Sequence, residues 1–183
     1  MDDFLLFAVL VLIAYSVARP TNVSAPSVYI NPGPGRANNT TSSFLGGWGV
    51  LDPNSLDTMT RTIAGEASNQ STEAQEGVAN VIINRVKNGI SFSSSVVGVC
   101  QQPHQFQCWS GGADTERILA MTTDDPQYQT AYAIAEDALT GELSDNTDGA
   151  VFYFSPPVTR PPSSWGAVAF TVQLDSLRFY RQA

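Results

Sequence analysis

Hydrophobic positions divide the 183-residue chain into stretches of different period. Residues 4–18 ("FLLFAVLVLIAYSVA") are apolar without a polar break. The run is slightly short for a full bilayer crossing, yet it predicts an N-terminal membrane helix, since a buried core helix would carry a polar face. Further on, Leu56, Met59 and Ile63 share one face of a short helix, with Asp52 or Asn54 as cap and its end close to Glu66. Thr72 and Gln75 form a capping-box pattern ahead of the stripe Val78, Val81, Ile82 and Val86, which predicts a helix buried on one side. "SFSSSVVGVC" reads as a short helix or turn. "DDPQYQTAYAIAEDALTG" has Pro at its start and Gly at its close, with Tyr128, Tyr132, Ala135 and Leu139 turned inward. The pattern then changes to the β-branched and aromatic runs "AVFYFS" and "GAVAFTV", separated by "PPVTRPPSSW", which predict two strands forming a hairpin. The expected fold is α+β and mainly helical, with a small β-hairpin, preceded by the membrane helix and a flexible linker.

Composition sets the boundaries. The segment following Arg19 is rich in Pro, Asn, Ser, Thr and Gly and cannot bury enough apolar surface to fold alone. The chain therefore divides into a membrane anchor or signal-anchor (1–19), a flexible linker (20–50) and one folded domain (51–183). Seventeen acidic residues against nine basic ones leave no electrostatic footprint for nucleic acid. A cleaved signal peptide usually begins with basic residues, whereas Asp2-Asp3 precede this apolar run, so an uncleaved anchor is expected.

A single histidine, His104, excludes most nucleophilic and metal chemistry. No G-x-S-x-G elbow positions a serine, and His pairs for a zinc peptidase are absent; no metal or cofactor is expected. Cys100 and Cys108 flank "QQPHQFQ", a spacing that a loop-closing disulfide can span. The disulfide is the preferred reading for an exported domain; two free thiols or half a metal site are the alternatives. Carboxylate chemistry remains. Glu66 stands among Ile63-Ala64-Gly65 and Ala67-Ser68-Asn69, without charged company. A Glu in apolar surroundings is suited to protonate the leaving oxygen of a glycosidic bond. A Glu at a helix end can equally serve as a cap or ion-pair partner. Glu73 and Glu76 fall in the first turn of the next helix, where acids complement the helix dipole, and stand as candidates for a second carboxylate.

"IAGEASNQSTEAQEGVANVIINRV" resembles the opening motif of the SleB-type cell wall hydrolases, the spore cortex-lytic family: a G-E-A triplet, then E-x-Q and a V-A-x-V-I-x-N-R-V helix. Gly65-Glu66-Ala67, Glu73, Gln75, Ala79, Asn84 and Arg85 fall in register. The likeness continues through "QPHQFQCW", similar to the family's Q-P-x-Q-F, then "AEDALTGELSDNTDGAVFYFSP" and the closing F-Y, from Thr58 to Tyr180. The resemblance implies a lysozyme-like domain acting on peptidoglycan between N-acetylmuramic acid and N-acetylglucosamine, as a lytic transglycosylase with Glu66 as general acid/base. It implies substrate contacts from Gln75, Gln105, Phe106, Trp109, Tyr153 and Tyr180, with amides on sugar hydroxyls and aromatic faces on pyranose rings. Two departures stand out. The family's His two residues before the closing F-Y is missing from Leu177-Arg178-Phe179-Tyr180, and its R-G after the triplet is Ser68-Asn69 here.

The expected partners are peptidoglycan and, through the N-terminal helix, a membrane. The domain is expected in the periplasm or cell envelope. The unusual charges around the anchor and the lack of a wall-binding repeat tilt the reading toward a phage or virion membrane, with other virion or envelope proteins as neighbours and a role in entry or lysis. The rival readings are a muramidase-type hydrolase and a non-catalytic glycan-binding module.

Overall fold

The computed structural model describes residues 51–88 and 92–183. The expected membrane helix and linker lie outside these residues; among the described residues no helix is long and apolar enough to cross a membrane.

Helix α1 (Pro53–Ala67) is the hub. Asp52 caps it, its carboxylate accepting from Ser55 N at 3.0 Å and Asn54 N at 3.4 Å, with Pro53 in the first turn. Met59, Ile63, Ala64 and Ala67 are fully buried, each larger side chain contributing roughly 2 kcal/mol of apolar burial. Thr60 and Thr62 are also fully buried, so their hydroxyls must find partners: each donates to the carbonyl one turn back, Leu56 O and Thr58 O, at 2.7 Å.

Four helices surround α1. They are α2 (Thr72–Asn88), α3 (Val96–Cys100), α4 (Gly112–Ala120) and α5 (Pro126–Thr140). Ser71, one residue before the expected Thr72, caps α2 by accepting from Ala74 N at 3.3 Å. The capping-box partner is absent too, because Gln75 turns inward and donates to Gln70 O at 3.2 Å. Ser95 caps α3 through Gly98 N. Helix α4, which the apolar pattern does not announce, is docked by Arg61. That side chain pairs with Asp57 at 2.8 Å and donates to the Ile118 and Met121 carbonyls at the end of α4. Helix α5 closes as expected, with Gly141 left-handed at φ 80°.

Three antiparallel strands complete the domain: β1 (Phe152–Phe154), β2 (Val168–Leu174) and β3 (Leu177–Gln182), in the order β1-β3-β2. The expected hairpin between the first two is thereby corrected. The tight turn at Asp175 (φ 50°) lets the chain fold back at once, and β3 enters between β1 and β2. The same turn ties the sheet to the α1–α2 corner: Asp175 accepts from Ser71 N at 2.9 Å, and Ser176 Oγ donates to Gln70 Oε1 at 2.6 Å.

Strand alternation separates two aromatic groups. Tyr153 pairs in register with Phe179, which is fully buried in the main core. Phe152 pairs with Tyr180 on the opposite face, in a second cluster with Phe154, where Trp165 stacks on Phe152 at 4.7 Å.

Candidate active site

Glu66 lies in the last turn of α1, half-buried, and both of its carboxyl oxygens are held. Cys108 N donates to Oε1 at 2.9 Å, and Tyr153 OH donates to Oε2 at 3.0 Å. Three separate segments therefore meet at one carboxyl group: the end of α1, the 3₁₀ turn Gln107–Trp109, and β1. A carboxylate offers about four lone-pair sites, so these donors, with the Cys108 thiol also hydrogen-bonded to it, leave room for a reacting partner. Tyr153 stays a neutral donor across any working pH, because burial and then the neighbouring Glu66 push its ionisation well above the usual phenol range.

Gly65 explains how the 3₁₀ turn comes so near. A Cβ at position 65 would lie 2.5 Å from Cys108 Cβ, so only glycine lets the turn press against α1 and aim its N–H at Glu66. Trp109 fixes the far side of the turn by donating from Nε1 to Thr62 Oγ1 at 2.8 Å. Thr115 Oγ1 donates to Cys108 O at 2.8 Å, linking the turn to α4.

Cys100 and Cys108 are free, buried thiols, which corrects the expected disulfide. Cys108 packs against Gly65, while the Cys100 thiol is hydrogen-bonded to Thr62, so each is committed to a different neighbour. Burial pushes the Cys100 thiol up to about 12. Cys108 is raised as well, by burial and then by Glu66.

The other expected substrate residues divide into three groups. Phe106 comes to the site but is 1 % exposed. Its ring lies 4.9 Å from the Arg85 guanidinium and 6.5 Å from the Tyr153 ring, so it supports the site from beneath instead of offering a face to a sugar. Gln105 and Trp109 are half-exposed on the loop carrying the 3₁₀ turn. Gln75 and Tyr180 are engaged elsewhere. The Gln75 amide holds Gln70 O, and Tyr180 stacks on Phe154 at 5.4 Å on the other face of the sheet. Glu73 is exposed. Glu76 is half-buried, its ionisation raised by burial and by the charges of Glu73 and Asp137. Among the described residues no group of His, Cys, Asp and Glu could hold a metal ion.

The resemblance includes Asn84 and Arg85, but pattern alone assigns them no place at the site. As a polar pair within α2 they read as an exposed turn, with inward hydrogen bonding as the less common alternative. The structure takes the alternative, Arg85 being buried and Asn84 partly so. Asn84 Nδ2 donates to Asp145 Oδ2 at 3.0 Å and to Ala150 O at 3.1 Å; Arg85 Nε donates to Val151 O at 2.8 Å. Together they moor the strand that carries Tyr153. The available signal was position: Arg85 lies three residues beyond Ile82 and directly before Val86, inside the apolar stripe.

The "Cell Wall Hydrolase" family profile matches residues 69–180, more than half of the chain. The chain belongs to this family. The match begins three residues past Glu66, and the 3₁₀ turn and Tyr153 that hold its carboxyl lie within the matched residues. Among curated proteins, the chain is 32 % identical over 112 residues to the spore cortex-lytic enzyme of Halalkalibacterium halodurans, covering 61 % of this chain and 30 % of that protein. It is 29 % identical over 118 residues to the spore cortex-lytic enzyme of Bacillus subtilis, covering 64 % and 35 %. The chain thus spans about a third of the length of these relatives. Among solved structures, it is similar to the catalytic domain of the germination-specific lytic transglycosylase SleB from Bacillus anthracis. There the TM-score is 0.57 at 25 % identity, with 72 % of this chain and 97 % of that chain covered. The catalytic domain of the Bacillus cereus SleB protein aligns with a TM-score of 0.56 at 25 % identity, over 80 % and 98 %.

Proposed function

We propose that this cell wall hydrolase cleaves the glycan strand of peptidoglycan between N-acetylmuramic acid and N-acetylglucosamine as a lytic transglycosylase, with Glu66 as the only acid/base. The observation that carries the reading is the Glu66 carboxyl gripped by Cys108 N–H and Tyr153 O–H, in a fold shared with a lytic transglycosylase catalytic domain. Protonated Glu66 gives its proton to the bridging oxygen as the bond from the muramic C1 breaks. The carboxylate then takes the proton of the same sugar's 6-hydroxyl as O6 attacks C1, closing a 1,6-anhydro ring and returning Glu66 to its starting form. No water and no second carboxylate enter the balance. This suits a site where Glu76 keeps company with Glu73 and Asp137 and neither is bonded to Glu66.

The two fixed donors hold the carboxyl in one orientation for both proton transfers, which is the contribution positioning makes to such a step. The proposed setting is the cell envelope, where residues 20–50 would let a domain held by residues 4–18 sample an insoluble polymer.

Digestion of purified sacculi with the parent and with Glu66→Gln tests the reading. Fragments with anhydro ends, one water lighter than reducing ones, are expected from the parent alone. Equal release by both proteins removes Glu66 from the chemistry. Reducing ends from the parent replace the transglycosylase mechanism by hydrolysis, and no release from a folded parent favours a glycan-binding module.

A further inference from the structure

Arg85 is 4 % exposed, and no carboxylate among the described residues forms an ion pair with it. Its planar group lies between the Phe92 and Phe106 rings, 4.9 Å from each centroid. These contacts return part of the cost of taking a cation out of water. Nε is satisfied by Val151 O, while Nη1 has no hydrogen-bond partner among the described residues. A cation that served only to hold a strand end would be an expensive way to fill one carbonyl, since a neutral donor could do so without the desolvation.

Its neighbours suggest why the charge is kept. Geometry sets the guanidinium beside the site: Nε holds Val151 O, two residues before Tyr153, and the Phe106 ring it packs on lies 6.5 Å from the Tyr153 ring. Tyr153 on β1, Cys100 on α3 and Glu66 on α1 are the titratable groups that act on it, and Cys108 on the 3₁₀ turn stands beside Glu66. Both thiols and the phenol have their ionisation raised and stay neutral, so among these four groups the Glu66 carboxyl is the acid the guanidinium faces. Burial lowers Arg85 to about 10, which leaves it cationic at neutral pH.

We propose that Arg85 is a positioning residue for the Glu66 reaction: its buried guanidinium keeps a fixed positive charge near the Glu66–Tyr153 pair and stabilises the carboxylate formed between the two proton transfers. The inference rests on the Glu66 acid/base reading. Each turnover creates a negative charge on Glu66 and then removes it, and a cation already in place, walled by two aromatic rings, stabilises that charge without solvent reorganisation. The bond to Val151 O serves the same end, because it sets the height of β1 and hence the point from which Tyr153 reaches Glu66.

The test compares Arg85→Lys and Arg85→Met in sacculus digestion across pH, each measured well below its own melting temperature. Both lose the planar contact with Val151 O, so a purely structural role affects them alike. The proposal expects kcat to fall about 10- to 100-fold in Arg85→Met and to recover at least about tenfold in Arg85→Lys. It also expects the alkaline limb of the kcat profile to move to higher pH in Arg85→Met alone, since without the cation the carboxylate form is less favoured. Equal losses in the two variants, or unchanged limbs in Arg85→Met, overturn it. Should Arg85→Met not fold, Arg85→Lys alone decides: kcat within about tenfold of the parent supports the charge, and a loss as deep as that of Glu66→Gln refutes it. Running Glu66→Gln alongside separates the two readings, because an active Glu66→Gln defeats both, whereas an inactive one beside an unimpaired Arg85→Met defeats only this inference.

Discussion

Alanine at position 65 probes the closest approach in the site. Its Cβ would lie 2.5 Å from Cys108 Cβ, 2.9 Å from Cys108 Sγ and 3.0 Å from Ile118 Cγ2. Two effects oppose each other. Replacing Gly by Ala inside a helix gains about 1 kcal/mol from propensity, and overpacking a closed core costs about 1–3 kcal/mol. A Cβ atom is fixed to the backbone and cannot swing aside, so the cost falls in the upper part of that range and the net is a destabilisation of about 1–2 kcal/mol. For a domain of this size that lowers the melting temperature by about 4–8 °C. The turn must retreat, and the 2.9 Å bond from Cys108 N to Glu66 lengthens or breaks. Losing a donor to a charged group is worth about 1.5–3 kcal/mol, which is roughly tenfold or more in kcat if the bond matters in the transition state. Thermal unfolding and release of anhydro-muropeptides measure the two effects. Cys108→Gly removes two of the three opposing atoms, so in the double variant the Gly65→Ala penalty should shrink by about 1 kcal/mol or more. A Gly65→Ala protein that melts above the parent, or strictly additive energies in the cycle, would refute the close seating of the turn on α1.

Two further outcomes follow from the electrostatics. Glu76 has its ionisation raised by burial and by Glu73 and Asp137, so its charged form is favoured less in the folded protein than in the unfolded chain. The stability it costs appears as pH rises from the ordinary Glu range through the raised folded value; Glu76→Gln should therefore stabilise the protein at neutral pH and leave it unchanged near pH 3, as read from denaturant midpoints. The two thiols should react with a disulfide reagent only slowly in the native protein and in full, two per chain, after denaturation without reductant. A native protein with no titratable thiol on unfolding would restore the disulfide.

Much of the helical frame was legible because local physics governs it. Asp52-Pro53 starts a helix and Thr140-Gly141 ends one whatever surrounds them, and the stripe from Val78 to Val86 faces inward in the fold as in the pattern. Helix α4 was not legible: Ile118 is its only buried residue, so it carries no apolar stripe and owes its place to Arg61 reaching across from α1. The β1–β2 hairpin failed for a related reason. Strand propensity states which segments extend, and the order in which they pair depends on the turn at Asp175 and on what covers each face.

The order of residues alone supplied the stretch that resembles the cell wall hydrolases, set Glu66 among small uncharged residues, held a single histidine and marked the folded domain as mainly helical. Those properties reside in residue type and short-range spacing. Tertiary structure decided which groups serve the acid. Cys108 and Tyr153 stand 42 and 87 residues from Glu66 along the chain, and no periodicity reports a contact of that separation. It also decided that Phe106 is buried, that Tyr180 faces away and that Arg85 is a buried charge. These outcomes depend on packing against distant segments, whose free energies exist only once the chain has closed around α1.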